Sequence, residues 1–504
     1  MRTQKAFVNM LCAMMYLAVN IICGFITPRL ILSTYGSSYN GVISSITQFL
    51  SAISILNLGI AGPTRVALYK SIANNDKKGT SSIIKATKIY MRRVALAVLI
   101  YAIVLMIIYP HIIDTELIGY EVVVLIAIIS ISTFAEYFFG FTNTTLLSAD
   151  QSGYVTNLVG TFKIVVNTCL TVILIYLNFS IFTVKLGSSL IFFIAPLILE
   201  VYVNIRYKLD KKCKPDDSAI KGRGAAAFHS IANIIHDNTS VVLLTLLTDI
   251  KLVSVYSVYN LIVSALRNLM KVFTSVLEAP FGNLWAKKEY DALNRNFRIY
   301  EFAIFFFAAV IFSCAIKLII PFVEVYTYGV TDVNYSRPIF AMLIMMAECI
   351  CCIRQPYMTM VQATGNYEAT KRDAAIEAII NIVISLMFVS LIGIEGVAIG
   401  MLAANLYRTV KYAIFVERNI IKEKKIRIIR KSIWLVATIT LCVTIVGFVD
   451  RFIIFDTNWI EWICRAFMTF GISIVVCSMM AILCYKSMCC SVLDVFKRII
   501  KNKG

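Results

Sequence analysis

Long apolar segments separated by short polar ones repeat along the whole chain, and most are 20 residues or longer. An α-helix needs about 20 apolar residues to cross a bilayer. Open strands cannot cross, because their edge N–H and C=O groups would lie unbonded in hydrocarbon. The pattern therefore predicts an all-α chain with about fourteen transmembrane helices. The predicted spans are residues 7–33, 41–66, 90–109, 121–147, 155–177, 180–205, 225–248, 253–280, 299–320, 338–363, 374–393, 396–416, 432–449 and 462–484.

Composition supports this interpretation and excludes a soluble globular protein. Apolar residues make up 59% of the 504-residue chain and charged residues 15%, with a mean hydropathy of +0.80. A soluble domain usually carries about 25% charged residues. Arg2 and Lys5 precede an apolar run of full spanning length that has no small-residue cleavage pattern. We therefore interpret this run as the first helix and not as a signal peptide.

The charge of the chain is +19, from 48 Lys and Arg against 29 Asp and Glu. In a soluble protein this excess would suggest a nucleic-acid partner. With the N-terminus inside, however, the inner segments carry 35 basic residues and the outer loops only four. By the positive-inside rule this bias places both termini in the cytoplasm. Most of the charge thus marks topology, and we expect no nucleic-acid partner.

Two basic polar stretches divide the chain. The stretch Arg206–Arg223 follows span six, and the run Arg418–Lys431 follows span twelve. They predict two pseudo-symmetric six-helix lobes and a C-terminal extension. The predicted divisions are residues 1–210 for the N-lobe, 211–222 for a cytoplasmic linker, 223–420 for the C-lobe, and 421–504 for two additional helices and a cytoplasmic tail.

One helix in each predicted lobe carries a polar stripe, and the two stripes share one spacing. Their residues occur at i, i+4, i+7 and i+11, which is a single narrow helix face. Parallel repeats of this kind occur in several families of transporters. We expect both stripes to line a water-filled cleft, with a neutral lining in the first lobe and a cationic one in the second. The residues are Asn40, Ser44, Thr47 and Ser51 in span two, and Asn260, Ser264, Arg267 and Lys271 in span eight.

Arg267 and Lys271 lie near the middle of span eight, one helical turn apart. A charge at the bilayer centre costs at least about 2.5–3.5 kcal/mol, so it requires a cavity, a partner or a function. Two neighbouring cations suit an anionic group held between them. The alternative is internal ion pairing with Glu278, or with Asp237 on span seven.

Further intramembrane polar residues are candidates for two roles. As cationic substrate contacts we consider Arg354, Arg408 and Arg29, although Arg29 could equally extend to the membrane interface. Span ten also presents Gln355 and Gln362 as polar lining, and Pro356 is expected to kink it. The candidates for ion coupling are His236, Asp237, Glu348 and Glu278, of which His236 and Asp237 could instead be a satisfied buried pair.

Motifs of enzymes and metal sites are not found in the sequence. No Gly-rich phosphate-binding loop ends in Lys-Ser or Lys-Thr, and no inner loop carries the paired aspartates of a nucleotide-sugar transferase. The 14 cysteines lie mostly inside apolar runs, without the spacing of a metal site. We therefore expect a non-enzyme without a cofactor or a metal.

Five short motifs stand out in the predicted first two helices and second lobe: Pro28-Arg29-Leu30, Tyr35–Gly41, Leu56–Ala61, Val255–Asn260 and Gln362–Tyr367. They resemble the corresponding segments of bacterial polysaccharide flippases. These flippases are the O-antigen and capsule repeat-unit exporters of the multidrug/oligosaccharidyl-lipid/polysaccharide superfamily. One departure is visible, since relatives often have an acid just after Asn-Thr in span seven, where this chain has Ser240.

The resemblance implies a multi-pass transporter of the bacterial cytoplasmic membrane that works by alternating access. It would move an undecaprenyl-pyrophosphate-linked oligosaccharide to the outer leaflet for surface polysaccharide synthesis. The lipid-linked glycan, membrane lipid and a polysaccharide polymerase are the implied partners. Two alternatives stay open: a cation-coupled multidrug exporter of the same superfamily, and a membrane-embedded glycan polymerase or transferase.

Overall fold

The computed structural model describes residues 2–57, 60–210, 212–216, 224–275, 277–422, 426–453 and 456–501. These residues form helices joined by short turns, and between them there is no strand, only an isolated bridge between Asp114 and Asp249. The all-α prediction is confirmed. The helices are α1 (Arg2–Ala52), α2 (Ala61–Ala73), α3 (Lys77–Ile112), α4 (Gly119–Ala135), α5 (Phe141–Ala149), α6 (Gly153–Tyr176), α7 (Ile181–Tyr207), α8 (Gly224–Leu247), α9 (Ile250–Ser275), α10 (Glu278–Ala286), α11 (Tyr290–Tyr326), α12 (Pro338–Ile353), α13 (Gln355–Ala363), α14 (Tyr367–Ile392), α15 (Ile394–Val416), α16 (Ile426–Val449) and α17 (Trp459–Lys501).

Eleven helical segments in the described part of the chain are long and apolar enough to cross a membrane. One of them, Val8–Asn57, covers residues 8–33 of the first predicted span and 41–57 of the second, whose predicted end at residue 66 lies in the separate helix α2. The predicted spans seven and twelve coincide with α8 and α15. Large apolar side chains lie exposed on the membrane-length helices. Leu391 on α14 and Leu483 on α17, for example, are each 76% exposed. Water would not solvate such a surface, whereas a bilayer does, and the chain is a multi-pass membrane protein.

The chain forms two compact units. Unit 1 contains Met1–Ser257 together with Gly329–Val333, and unit 2 contains Val258–Tyr328 and Asn334–Gly504. The units therefore separate inside α9, and the predicted division into lobes at residues 211–222 stays a prediction. The described residues of that predicted linker pack on α3, where Lys85 Nζ donates to the carbonyl of Cys213 at 2.8 Å.

A backbone break divides α1 in unit 1. Gly36 has φ 87° and ψ 178°, a conformation that is essentially restricted to glycine. The helix that restarts at Ser37 needs acceptors for its first N–H groups. The carboxylate of Asp332 accepts from the first of them, Ser37 N, at 2.8 Å, and it also accepts from the Ser37 hydroxyl Oγ at 2.6 Å. The break turns one element into the two consecutive spans that the sequence predicts.

Segments predicted to be outer loops meet at one end of unit 1. The carbonyl of Asp114, between α3 and α4, accepts from Ile250 N at 3.1 Å. Lys251 forms an ion pair with Glu116 at 2.7 Å. The carbonyl of Ile250 in turn lies so close to Gly41 that a Cβ there would be 2.2 Å away. These contacts agree with the order of crossings that the sequence predicts.

Unit 2 is built around α11, which contacts α12, α16 and α17. Its buried face is rich in aromatic residues, among them Phe297, Phe305 and Phe312. On α16 and α17, Trp434 and Tyr485 pack against each other and both contact Phe302. The apolar packing leaves the charged side chains of this unit in a few discrete clusters.

Candidate functional site

The neutral stripe of span two lies on the second half of α1, within unit 1. Asn40 is 4% exposed and donates to Ser254 Oγ at 2.7 Å and to Ser257 Oγ at 3.1 Å. Ser51 donates to Asn238 Oδ1 at 2.7 Å. The two ends of the stripe thus hold helices together. Between them Ser44 is half-buried and Thr47 is exposed, so the middle of the stripe stays accessible.

The cationic stripe of span eight lies on α9. Asn260 and Ser264 are half-buried, and Lys271 is exposed. Arg267 forms a bidentate salt bridge with Glu348 of α12, with Nε at 2.9 Å from Oε1 and Nη2 at 2.7 Å from Oε2. The sequence predicted an acidic partner for Arg267 only as an alternative, and it considered Glu278 and Asp237 instead of Glu348.

The two partners of this salt bridge differ in accessibility. The Glu348 side chain is 1% exposed and the Arg267 side chain 18%. The carboxylate also accepts from the Cys352 thiol, with Sγ at 3.7 Å from Oε1. Glu348 is therefore held within α12, while part of the Arg267 side chain stays accessible. Because Lys271 follows one turn later, α9 presents two accessible cations on one face, and their binding of an anionic group stays a prediction.

A second buried cluster joins α14 with α15 and with the junction of α12 and α13. Glu377 of α14 accepts from Arg354 Nη1 at 2.7 Å and also from Arg408 Nη1. The guanidinium of Arg408 lies 5.0 Å from the centre of the Tyr412 ring. Arg354 is 5% exposed and Arg408 and Glu377 are 1% exposed. Both arginines have a packing role in this conformation, and their contact with a substrate stays a prediction.

The orientation of Arg354 follows from a break in span ten. Pro356 lies in the first turn of α13, and α12 ends at Ile353, so Arg354 stands at the junction. A proline cannot donate to the preceding turn and interrupts the helix, as the sequence predicts. The break turns Arg354 towards Glu377. The sequence alone does not single out Glu377 as its partner. An isolated acid inside the apolar segment 374–393 is the signal that could have identified it.

The other candidates are placed as follows. Gln355 and Gln362 are half-buried at the two ends of α13, and Arg29 is half-buried on α1. Glu278 is exposed at the start of α10. The side chains of His236 and Asp237 lie outside the described residues, so their role in ion coupling stays a prediction.

A third cluster, in unit 2, contains no predicted site residue. Glu301 of α11 accepts from Tyr357 of α13 and from Lys431 of α16. All three side chains are buried. This cluster joins three helices, and its cation is buried more deeply than Arg267.

The fold matches solved transporter structures, although neither a family model nor a curated protein matches the sequence. The lipid II flippase MurJ in an inward closed conformation is 13% identical, with a TM-score of 0.72 over 95% of this chain and 99% of that chain. An inward-facing multidrug resistance MATE family transporter of the MOP superfamily is 14% identical, with a TM-score of 0.57 over 82% of this chain and 98% of that one.

A MOP superfamily transporter from Pyrococcus furiosus, described as having a binding pocket of reverse polarity, is also similar. It is 13% identical, with a TM-score of 0.52 over 83% of this chain and 97% of that chain. At these identities the comparisons show a shared fold. The chain therefore has the all-helical membrane fold of these transporters.

Proposed function

We propose that this chain is a transporter that moves a lipid-linked oligosaccharide across a membrane. The observation that carries the proposal is the pair of accessible cations on α9, where Arg267 is partly accessible and Lys271 is exposed one turn away. A phosphorylated lipid has to bring its negative charge into a low-dielectric region, and two neighbouring cations lower the cost of doing so. A guanidinium also matches phosphate oxygens in a bidentate geometry.

The shared fold supports the same class of substrate. The fold match to the lipid II flippase MurJ extends over 95% of the chain, with the higher TM-score, while the match to the MATE transporter covers 82%. The motifs that resemble polysaccharide flippases point to an undecaprenyl-pyrophosphate-linked repeat unit as the substrate. On this proposal the protein acts in the bacterial cytoplasmic membrane with both termini inside, and supplies O-antigen or capsule synthesis and its polymerase.

The transport step itself makes and breaks no covalent bond. Binding has to favour one of two conformations, since a ligand shifts an equilibrium only by its differential affinity for the two states. The cations of α9 would hold the diphosphate in the state that accepts substrate from the cytoplasmic leaflet. Their hold on it has to weaken in the state that releases the substrate.

A cation-coupled multidrug exporter is the second candidate, because the fold also matches MATE transporters. A cationic drug needs an accessible carboxylate within the membrane. Glu348 and Glu377 are each 1% exposed, and both accept from arginines. Neither of these two carboxylates is open to a cationic substrate.

The proposal is tested by export in a host that depends on this gene for its surface polysaccharide. We expect Arg267→Ala and Lys271→Ala each to reduce export by about 10- to 100-fold, since a hydrogen bond to a charged group contributes roughly 1.5–3 kcal/mol. Surface polysaccharide and membrane levels of the protein are measured together, and the lipid-linked repeat unit should accumulate in the cytoplasmic leaflet.

Lys411→Ala is the matched control, because Lys411 is an exposed cation on α15 that stacks over Tyr407 at 5.6 Å. It should leave export unchanged. Full export by both α9 variants would contradict the proposal. Loss of resistance to cationic dyes, with polysaccharide export intact, would favour the multidrug exporter.

A further inference from the structure

The salt bridge between Arg267 and Glu348 uses donors that an anionic substrate would need. Nε and Nη2 of Arg267 face the two oxygens of Glu348 in a fork. The same fork binds phosphate oxygens in bidentate recognition. A phosphate group cannot take this geometry on Arg267 while the carboxylate occupies that edge.

The Glu348 carboxylate has a second donor besides Arg267, and further charged residues are buried around α12. The buried clusters around α12 contain three guanidiniums, Arg267, Arg354 and Arg408, and two carboxylates, Glu348 and Glu377. When Arg267 turns away, the two remaining guanidiniums equal the two carboxylates in number. The Cys352 thiol continues to donate to Glu348.

Resting on the proposed function, we propose that Glu348 is a displaceable counter-ion, and that the diphosphate group of the substrate takes its place on Arg267. Glu348 is then a positioning and specificity residue. Without substrate it holds the guanidinium in the binding geometry and cancels its charge. With substrate, the diphosphate spans Arg267 and Lys271, and the link between α9 and α12 through Glu348 is broken.

This exchange selects for anions of high charge. An intramolecular carboxylate competes at an effective concentration of the order of millimolar or more. A monoanion offers Arg267 nothing that Glu348 does not already provide. A diphosphate carries more charge and additional oxygens, and it can bind Lys271 at the same time. The salt bridge thus excludes small carboxylates and favours a diphosphate.

The test uses the purified full-length chain in nanodiscs of phosphatidylcholine, titrated with inorganic pyrophosphate and inorganic phosphate at constant ionic strength. We expect Glu348→Gln to bind pyrophosphate at least about tenfold more tightly than the unmodified chain, because the competing charge is removed. The ratio between its affinities for pyrophosphate and for phosphate should be smaller than in the unmodified chain. Arg267→Gln should lose pyrophosphate binding.

Glu301→Gln is the matched control, since it removes another buried carboxylate of unit 2, the partner of Lys431. Its affinity for pyrophosphate should equal that of the unmodified chain, and a similar tightening there would contradict the proposal. If Glu348→Gln does not give folded protein, Glu348→Asp replaces it in the test. Its side chain is one methylene shorter, so its carboxylate competes less well for Arg267 and pyrophosphate should bind more tightly. Unchanged binding by Glu348→Asp would then count against the proposal.

The outcomes separate the two proposals. If Arg267→Gln loses pyrophosphate binding while Glu348→Gln leaves it unchanged or weaker, the counter-ion role is wrong and the proposed function stands. If Arg267→Gln binds pyrophosphate like the unmodified chain, or the unmodified chain and Glu348→Gln both fail to bind, the anionic site itself is wrong and both proposals fall.

Discussion

Glu377 is a single residue on which the packing of three membrane segments depends. Its carboxylate accepts from Arg354 and from Arg408, and all three side chains are at most 6% exposed. Burial of an unpaired charge is costly, so the carboxylate does more than add one favourable contact. It allows two guanidiniums to be buried in a region where neither could lie alone.

We predict that Glu377→Gln lowers the free energy of unfolding by about 3–5 kcal/mol, because two buried guanidiniums lose their countercharge. The measurement is thermal unfolding of the purified protein in detergent. Glu368→Gln on the same helix is the control: Glu368 is 75% exposed and lies 3.8 Å from Lys371. An exposed pair contributes little, so its unfolding temperature should not change. Equal unfolding temperatures for the two variants would show that Glu377 is not a structural anchor.

At the scale of elements, the break at Gly36 decides whether α1 is one helix or two spans. A side chain is strained at φ 87° and ψ 178°, and a Cβ would lie 3.3 Å from Asp332 Oδ2. The α12–α13 junction is the corresponding feature of span ten, made by Pro356. In both cases the helix is interrupted at one residue, a glycine in a non-helical conformation or a proline without an N–H donor, and a capping or charged group is redirected there.

We predict that Gly36→Ala destabilises the protein by about 1–3 kcal/mol, the usual cost of forcing a side chain into a glycine-only conformation. Gly24→Ala in the same helix is the control, since no atom lies within 4 Å of the place that an alanine methyl group would take there. Alanine is preferred to glycine inside a helix by about 1 kcal/mol, so Gly24→Ala should be neutral or stabilising. Both are compared by thermal unfolding, and an equally stable Gly36→Ala would contradict this account of the break.

At the scale of the whole molecule, the order of crossings follows from the alternation of spans. Contacts within unit 1 support this order, because Asp114 meets Ile250 and Asp332 meets Ser37 at one end. Which end faces the cytoplasm rests on the positive-inside bias of 35 basic residues against four.

We predict that green fluorescent protein fused after Asp216 or after Lys288 lies in the cytoplasm and is fluorescent. Fusions after Asn178 and Tyr328, which follow α6 and α11, should be active as periplasmic alkaline phosphatase. The paired reporters control for each other at every position. Phosphatase activity after Asp216 would overturn the predicted orientation.

The sequence alone determined the class of the protein and its crossing segments. Both depend on the transfer free energy of each segment and on the charge of its flanks, which are local properties. It also placed Arg267 and Lys271 on one face of a membrane helix, because a polar stripe on such a helix is visible from spacing. Glu348 was identified as a candidate acid, although its relation to Arg267 was not.

Only the tertiary structure decided which charges pair. Arg267 and Glu348 are 81 residues apart in sequence, and Arg408 and Glu377 are 31 apart. Such pairing depends on how each helix is rotated and on where it is broken. The break at Pro356, for example, sets the direction of Arg354. These rotations are set by the packing of neighbouring helices. The sequence therefore predicts which residues are charged within the membrane, and the packing decides that Arg354 and Arg408 are buried while Arg267 stays partly accessible.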